Sequence, residues 1–158
     1  MMPSRADCRG LESLPLKLMI VAVVATLSII PASEALDNLR NKDFLNRVEL
    51  QLDMIMSTAQ SLAIGGPGGS RTIELDFTSS GSVAFEHLAI GGGDGEANMS
   101  SIVLRFTNGA VMLKTCSDPP IWMRGTDGGG LVVVSPRSEL KMSAQMEGKT
   151  EYILAEAV

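Results

Sequence analysis

Oxygen-bearing side chains alternate at Asp94, Glu96 and Asn98 inside a glycine-rich stretch. Oxygens at alternate positions are how a loop wraps calcium. Here Met99 stands where the glycine of the calcium loop's sharp turn belongs, and no glutamate closes a twelve-residue loop. The stretch therefore reads as a solvated turn. It runs into Asn98-Met99-Ser100, an N-glycosylation acceptor with a non-proline middle residue. His87 is the one histidine, so it has no second imidazole to share a metal or a proton relay, and it is expected on a strand surface. The two thiols, Cys8 and Cys116, lie on either side of an apolar segment and are not expected to pair. Cys116 is expected to be a small strand residue. Gly65-Gly66-Pro67-Gly68-Gly69-Ser70 is rich in glycine but lacks the Gly-Lys-Ser/Thr ending that a phosphate loop needs. Trp122, the one tryptophan, fits either a binding surface or the core. No nucleophile–base–acid set and no supported carboxylate pair is visible. No catalytic, cofactor-binding or metal-binding residue is assigned, and an enzyme is not expected.

Length and charge narrow the rest. The 158 residues suffice for one domain and an anchor. The formal net charge is -5, and Lys and Arg do not cluster beyond the extreme N-terminus, so nucleic acid is not an expected partner. Aromatic residues make up 4% of the chain, so a core must rest on Val, Ile, Leu and Met.

Leu18 to Ala32 reads LMIVAVVATLSIIPA, without a charge. A bilayer needs roughly 20 residues of helix, a length reached when the segment is extended toward Leu14 and Leu36. Lys17 would then snorkel at one end, and Glu34 would lie near the other. Proline is accepted both in a first turn, as at Pro15, and as a kink inside a membrane helix, as at Pro31. Arg5, Arg9 and Lys17 precede the apolar run, which predicts a cytoplasmic N-terminus and an external C-terminal part. Three readings compete. One is a secretory signal cut at Ser33-Glu34-Ala35, another is an uncleaved anchor, and the third is a leader cut before the apolar run.

Helical patterning continues beyond this segment. Residues 33–64 hold no Gly or Pro, and Leu45, Val48, Leu52, Ile55, Ala59 and Leu62 recur at spacings of three and four. This stripe can pack on the protein's own β domain, and also on neighbouring helices. The glycine-rich run at 65–70 predicts a helix stop and a hinge. After it the period drops to two, beginning with Ile73, Leu75 and Phe77. Strands are predicted near Arg71–Phe77, Ser82–Leu88, Ser101–Thr107, Ala110–Cys116, Pro120–Met123, Leu131–Val134, Leu140–Met146 and Thr150–Leu154. Asn108-Gly109 predicts a two-residue hairpin turn. The expected fold class is α+β, a long N-terminal helix followed by an antiparallel sandwich or curled sheet.

Arg9-Gly10, followed by Leu11-Glu12-Ser13-Leu14-Pro15-Leu16-Lys17 and the apolar Leu18 to Ile30, resembles the class III (prepilin-type) signal of archaeal type IV pilin-like proteins. The amphipathic continuation and β-rich C-terminal part agree with that family. The fifth residue of the implied mature chain is Pro15, where many pilins carry glutamate. The resemblance implies cleavage between Gly10 and Leu11 by a prepilin peptidase. It implies a leader over 1–10, a membrane helix over 11–36, an amphipathic extension over 37–64, a hinge over 65–70 and an external β domain over 71–158. The implied partners are membrane lipid, the peptidase and other pilin-like subunits, met through the N-terminal helix in a surface filament. The rival expectation is a single-pass anchored binding module that does not polymerise.

Overall fold

The computed structural model describes residues 9–92, 98–117 and 119–158, with side chains from residue 15 onward. The order of elements is α1 (Arg9–Gly65), β1 (Ser70–Asp76), β2 (Phe85–Ile90), β3 (Ser101–Phe106), β4 (Val111–Thr115), β5 (Met123–Gly125), β6 (Leu131–Val133), β7 (Arg137–Glu147) and β8 (Thr150–Ala157). The chain divides into two compact units, Met1–Leu39 and Arg40–Val158.

In the first unit the backbone is helical through both Pro15 and Pro31. Ser and Thr hydroxyls fold back onto carbonyls one turn earlier, as in Thr26 Oγ1 to Ala22 O at 2.6 Å and Ser28 Oγ to Val24 O at 2.8 Å. A hydroxyl satisfied in this way presents no unpaired donor on an apolar helix.

The second unit builds one core from three surfaces. Phe44, Val48, Leu52, Ile55, Ala59 and Leu62 of α1 are buried together with the inner residues of two four-stranded sheets. The helical stripe is as expected except at its start, where Phe44 is buried and Leu45 only partly so. Phe44 meets Phe106 edge to face, with ring centroids 5.9 Å apart, which draws the helix onto β3. The stripe is consumed by the protein's own core.

The sheets run β1-β7-β8-β5 and β4-β3-β2-β6. All pairings are antiparallel except β5 with β8, and neither sheet closes into a barrel. This is the α+β fold with a curled, antiparallel-dominated β domain. On β7 the alternation is regular, with Leu140, Met142 and Ala144 turned inward. On β3 it breaks down, because Ser101, Ile102, Val103 and Leu104 are all buried. β3 is a central strand, and Val103 lies between Ala89 of β2 and Leu113 of β4 on the outer face. Flanking side chains cover it there.

The β3–β4 turn corrects the two-residue expectation. Arg105 pairs with Val111, Gly109 N donates to Phe106 O at 2.9 Å, and Phe106 N donates to Ala110 O at 3.0 Å. Thr107, Asn108 and Gly109 thus form a three-residue connection. Gly109 alone takes positive φ, at 81°, as in a type I turn closed by a glycine bulge. The reason is tertiary: Thr107 is held by Ala84, whose O accepts its N–H at 3.0 Å and whose N–H donates to its hydroxyl at 3.3 Å.

Side-chain clamps tie α1 to the strands. Gln51 exchanges two hydrogen bonds with the backbone of Asp76, at 2.7 and 2.9 Å, mimicking a strand partner at the edge of β1. Asn41 holds the β1–β2 connection through Ser82 Oγ at 2.9 Å and Val83 N at 3.1 Å. Lys114 of β4 reaches Asp53 at 2.9 Å and Glu49 at 3.5 Å, and these carboxylates hold its ammonium pKa above the usual lysine value. The glycine-rich connection is bound to β7, since Gly68 N donates to Ala144 O and Ala144 N to Gly69 O, each at 2.9 Å.

Candidate functional site

Two surfaces of the described residues have the composition of functional sites. The first is the apolar part of α1. Leu16, Leu18, Met19, Ile20, Val21, Val23, Val24, Leu27, Ile29 and Ile30 are all exposed. They fall on every side of the helix, so the segment is apolar all round rather than amphipathic. Its most apolar window has mean hydropathy 2.1 and is wholly unburied, and among the described residues it is the one segment long and apolar enough to cross a membrane.

The second surface is a cavity of about 480 Å³ at the C-terminal end of α1. That volume lies within the range of small-molecule sites. Gln60, Ala63 and Ile64 of α1 form one wall, Pro119 to Ile121 another, and Glu151 to Ile153 of β8 the third. β7 pairs with β8 on one side, with Met146 opposite Glu151, and β5 on the other, with Met123 opposite Ile153. Alternation along β8 places Glu151 on the same face as the buried Ile153 and Ala155. Sequence reasoning passed over this site. The expected strand over 150–154 already put Glu151 on the side of Ile153, but nothing in the sequence brings Gln60 beside it.

The residues singled out from sequence are scattered. Gly10 and Leu11 fall in the first turn of α1. Cys8, Asp94 and Glu96 lie outside the described residues. Asn98 is exposed in a tight turn, its Oδ1 accepting from Ser100 N and Ser100 Oγ, both at 3.0 Å. His87 is half-buried on β2, with Nδ1 4.0 Å from Glu86 Oε1. Cys116 is buried and free, and its sulfur accepts a weak hydrogen bond from Gln60 Nε2 at 3.6 Å. Trp122 is 42% exposed, so its ring is not a core residue. Its carbonyl accepts from Ile153 N at 2.7 Å, which places it beside the cavity. Among the described residues no group of three acidic, His or Cys side chains is placed to hold a metal ion. No protein-family model, curated protein or solved structure matches the chain.

Proposed function

We propose that the chain is a pilin-like structural subunit of the cell surface. It is held in the membrane by the apolar part of α1 before assembly and joins a filament through that same surface afterwards. The observation that carries this reading is the division of labour along α1. The stripe from Phe44 to Leu62 is fully used by the core of its own unit, whereas the described segment from Leu16 to Ile30 is apolar on every side and exposed. Such a surface must be covered by lipid or by other helices. Contacts of one patch with a different patch on the next copy propagate without closing, which is how a filament grows. The basic residues Arg5, Arg9 and Lys17 favour a cytoplasmic N-terminus, with Arg40–Val158 outside.

The test is the mature N-terminus, read by mass spectrometry on protein from native membranes. Prepilin-type processing gives a chain beginning at Leu11. An intact leader removes the pilin reading in favour of a plain anchor, and a chain beginning at Leu36 removes both in favour of secretion. The second reading, an anchored binding module that does not polymerise, is favoured by the cavity at the end of α1.

A further inference from the structure

We infer that the cavity between the end of α1 and the start of β8 is a binding site for a compact uncharged molecule, with an apolar body and a single hydroxyl or carbonyl group. The inference does not rest on the pilin reading, since it uses only residues between Gln60 and Ile153 and its test leaves the N-terminus unread.

The cavity follows from a break in the strand ladder. β5 joins β8 only from Met123, opposite Ile153. The chain before it runs through Pro119 and Pro120, which carry no N–H to extend a ladder beside Glu151. Pro120 instead bridges back to Ser117. α1 ends at Gly65, so the gap stays open between the helix end and β8. Three features of its lining set the chemistry. First, Ala63, Ile64, Pro120, Ile121 and Ile153 make most of the wall apolar, which suits a hydrocarbon body. Second, Gln60 is the one fully exposed polar side chain of the lining, and it is a neutral amide. Its Nε2 donates to Cys116, which leaves its amide oxygen and a second N–H for a ligand's hydroxyl or carbonyl. The Tyr152 hydroxyl is engaged elsewhere, by Gln145 at 3.0 Å. Third, no Lys, Arg or His lines the cavity, and the unpartnered Glu151 Oε1 is shut inside the wall. An ionised ligand would therefore give up its hydration without an ion pair to replace it. An uncharged ligand has no such cost.

The test is titration of the full chain in detergent micelles with cyclohexanol, cyclohexylammonium and cyclohexanecarboxylate, which share a shape and differ in charge. The readout is emission of Trp122, the one tryptophan, whose carbonyl is bonded to Ile153 beside the cavity. Variants titrated at the same micelle concentration control for partition of the probes into detergent. Cyclohexanol is expected to bind the wild type saturably, and both ions about tenfold more weakly or worse. A63F puts a ring on a wall residue and is expected to abolish alcohol binding. Q60K changes an exposed side chain near a helix C-terminus that has no basic residue in its last turn, so it is expected to keep the wild-type Tm. It supplies the missing cation and is expected to reverse the order, with the carboxylate about tenfold tighter than the alcohol. Q60K decides the matter if A63F folds poorly. The proposal is overturned if the wild type shows no saturable alcohol binding, or if either ion binds it as well as the alcohol does. It is equally overturned if a folded A63F binds the alcohol as the wild type does, or if Q60K still prefers the alcohol.

Discussion

Asp76 closes β1 by accepting hydrogen bonds from the Thr78 hydroxyl and from Thr78 N, the latter at 2.9 Å, while Arg137 lies 3.3 Å from its other oxygen. The Thr78 hydroxyl first and then the Thr78 N–H hold the carboxyl below its usual 3.8; partial burial opposes them, and Arg137 adds weaker lowering effects. The folded carboxyl therefore binds a proton less readily than the unfolded one. Its contribution to stability is complete above the ordinary carboxylate pKa and is lost as pH falls through the lowered folded value. Because Asp76 is 46% exposed, solvent screens the effect and keeps it modest. In Tm measured from pH ~6 down to ~2, Asp76→Asn is expected to flatten part of the acid slope of the wild type. An unchanged slope would show that Asp76 does not couple to folding.

α1 is one helix with two kinds of surface, and its residues can be ranked by which surface they occupy. Leu52 is fully buried between the sheets, while Leu50, two positions earlier, is 68% exposed. Removing the same side chain from each isolates burial from helix propensity. Leu52→Ala is expected to cost about 2–5 kcal/mol through lost transfer energy and the cavity left behind. Leu50→Ala is expected to stay within about 0.5 kcal/mol. Denaturant unfolding followed through the β-sheet circular dichroism compares the two, and equal losses would contradict the packing of α1 on the sheets. The stripe at spacings of three and four was legible in the sequence because helical geometry alone puts those residues on one face. The substitution of Phe44 for Leu45 at its start was not, because it follows from where the Phe106 ring stands.

For the whole molecule the decisive question is what covers residues 16–30. If a bilayer does so before assembly, charges placed there must cost insertion. Ile20→Arg combined with Val24→Arg puts two guanidinium groups one turn apart on an exposed apolar face. Each is expected to cost about 2.5–3.5 kcal/mol on insertion scales. The double variant should leave the membrane fraction on alkaline extraction, whereas Val24→Leu should remain. Retention of the double variant would argue that this segment is not the anchor.

The sequence by itself determined the elements. An uncharged apolar run, a helical stripe, a glycine-rich stop and a change of period from 3.6 to two are local patterns, fixed by side-chain type and backbone geometry. They were enough for the long helix, the β-rich C-terminal part and the α+β class. Only the tertiary structure decided how the strands are joined. β1 finds β7, and the three residues of β5 lie parallel to β8, through contacts between distant segments that no local period encodes. The three-residue β3–β4 turn belongs to the same class, since Ala84 holds Thr107 from another strand's approach. So does the cavity, whose walls are separated by about ninety residues from Gln60 to Glu151.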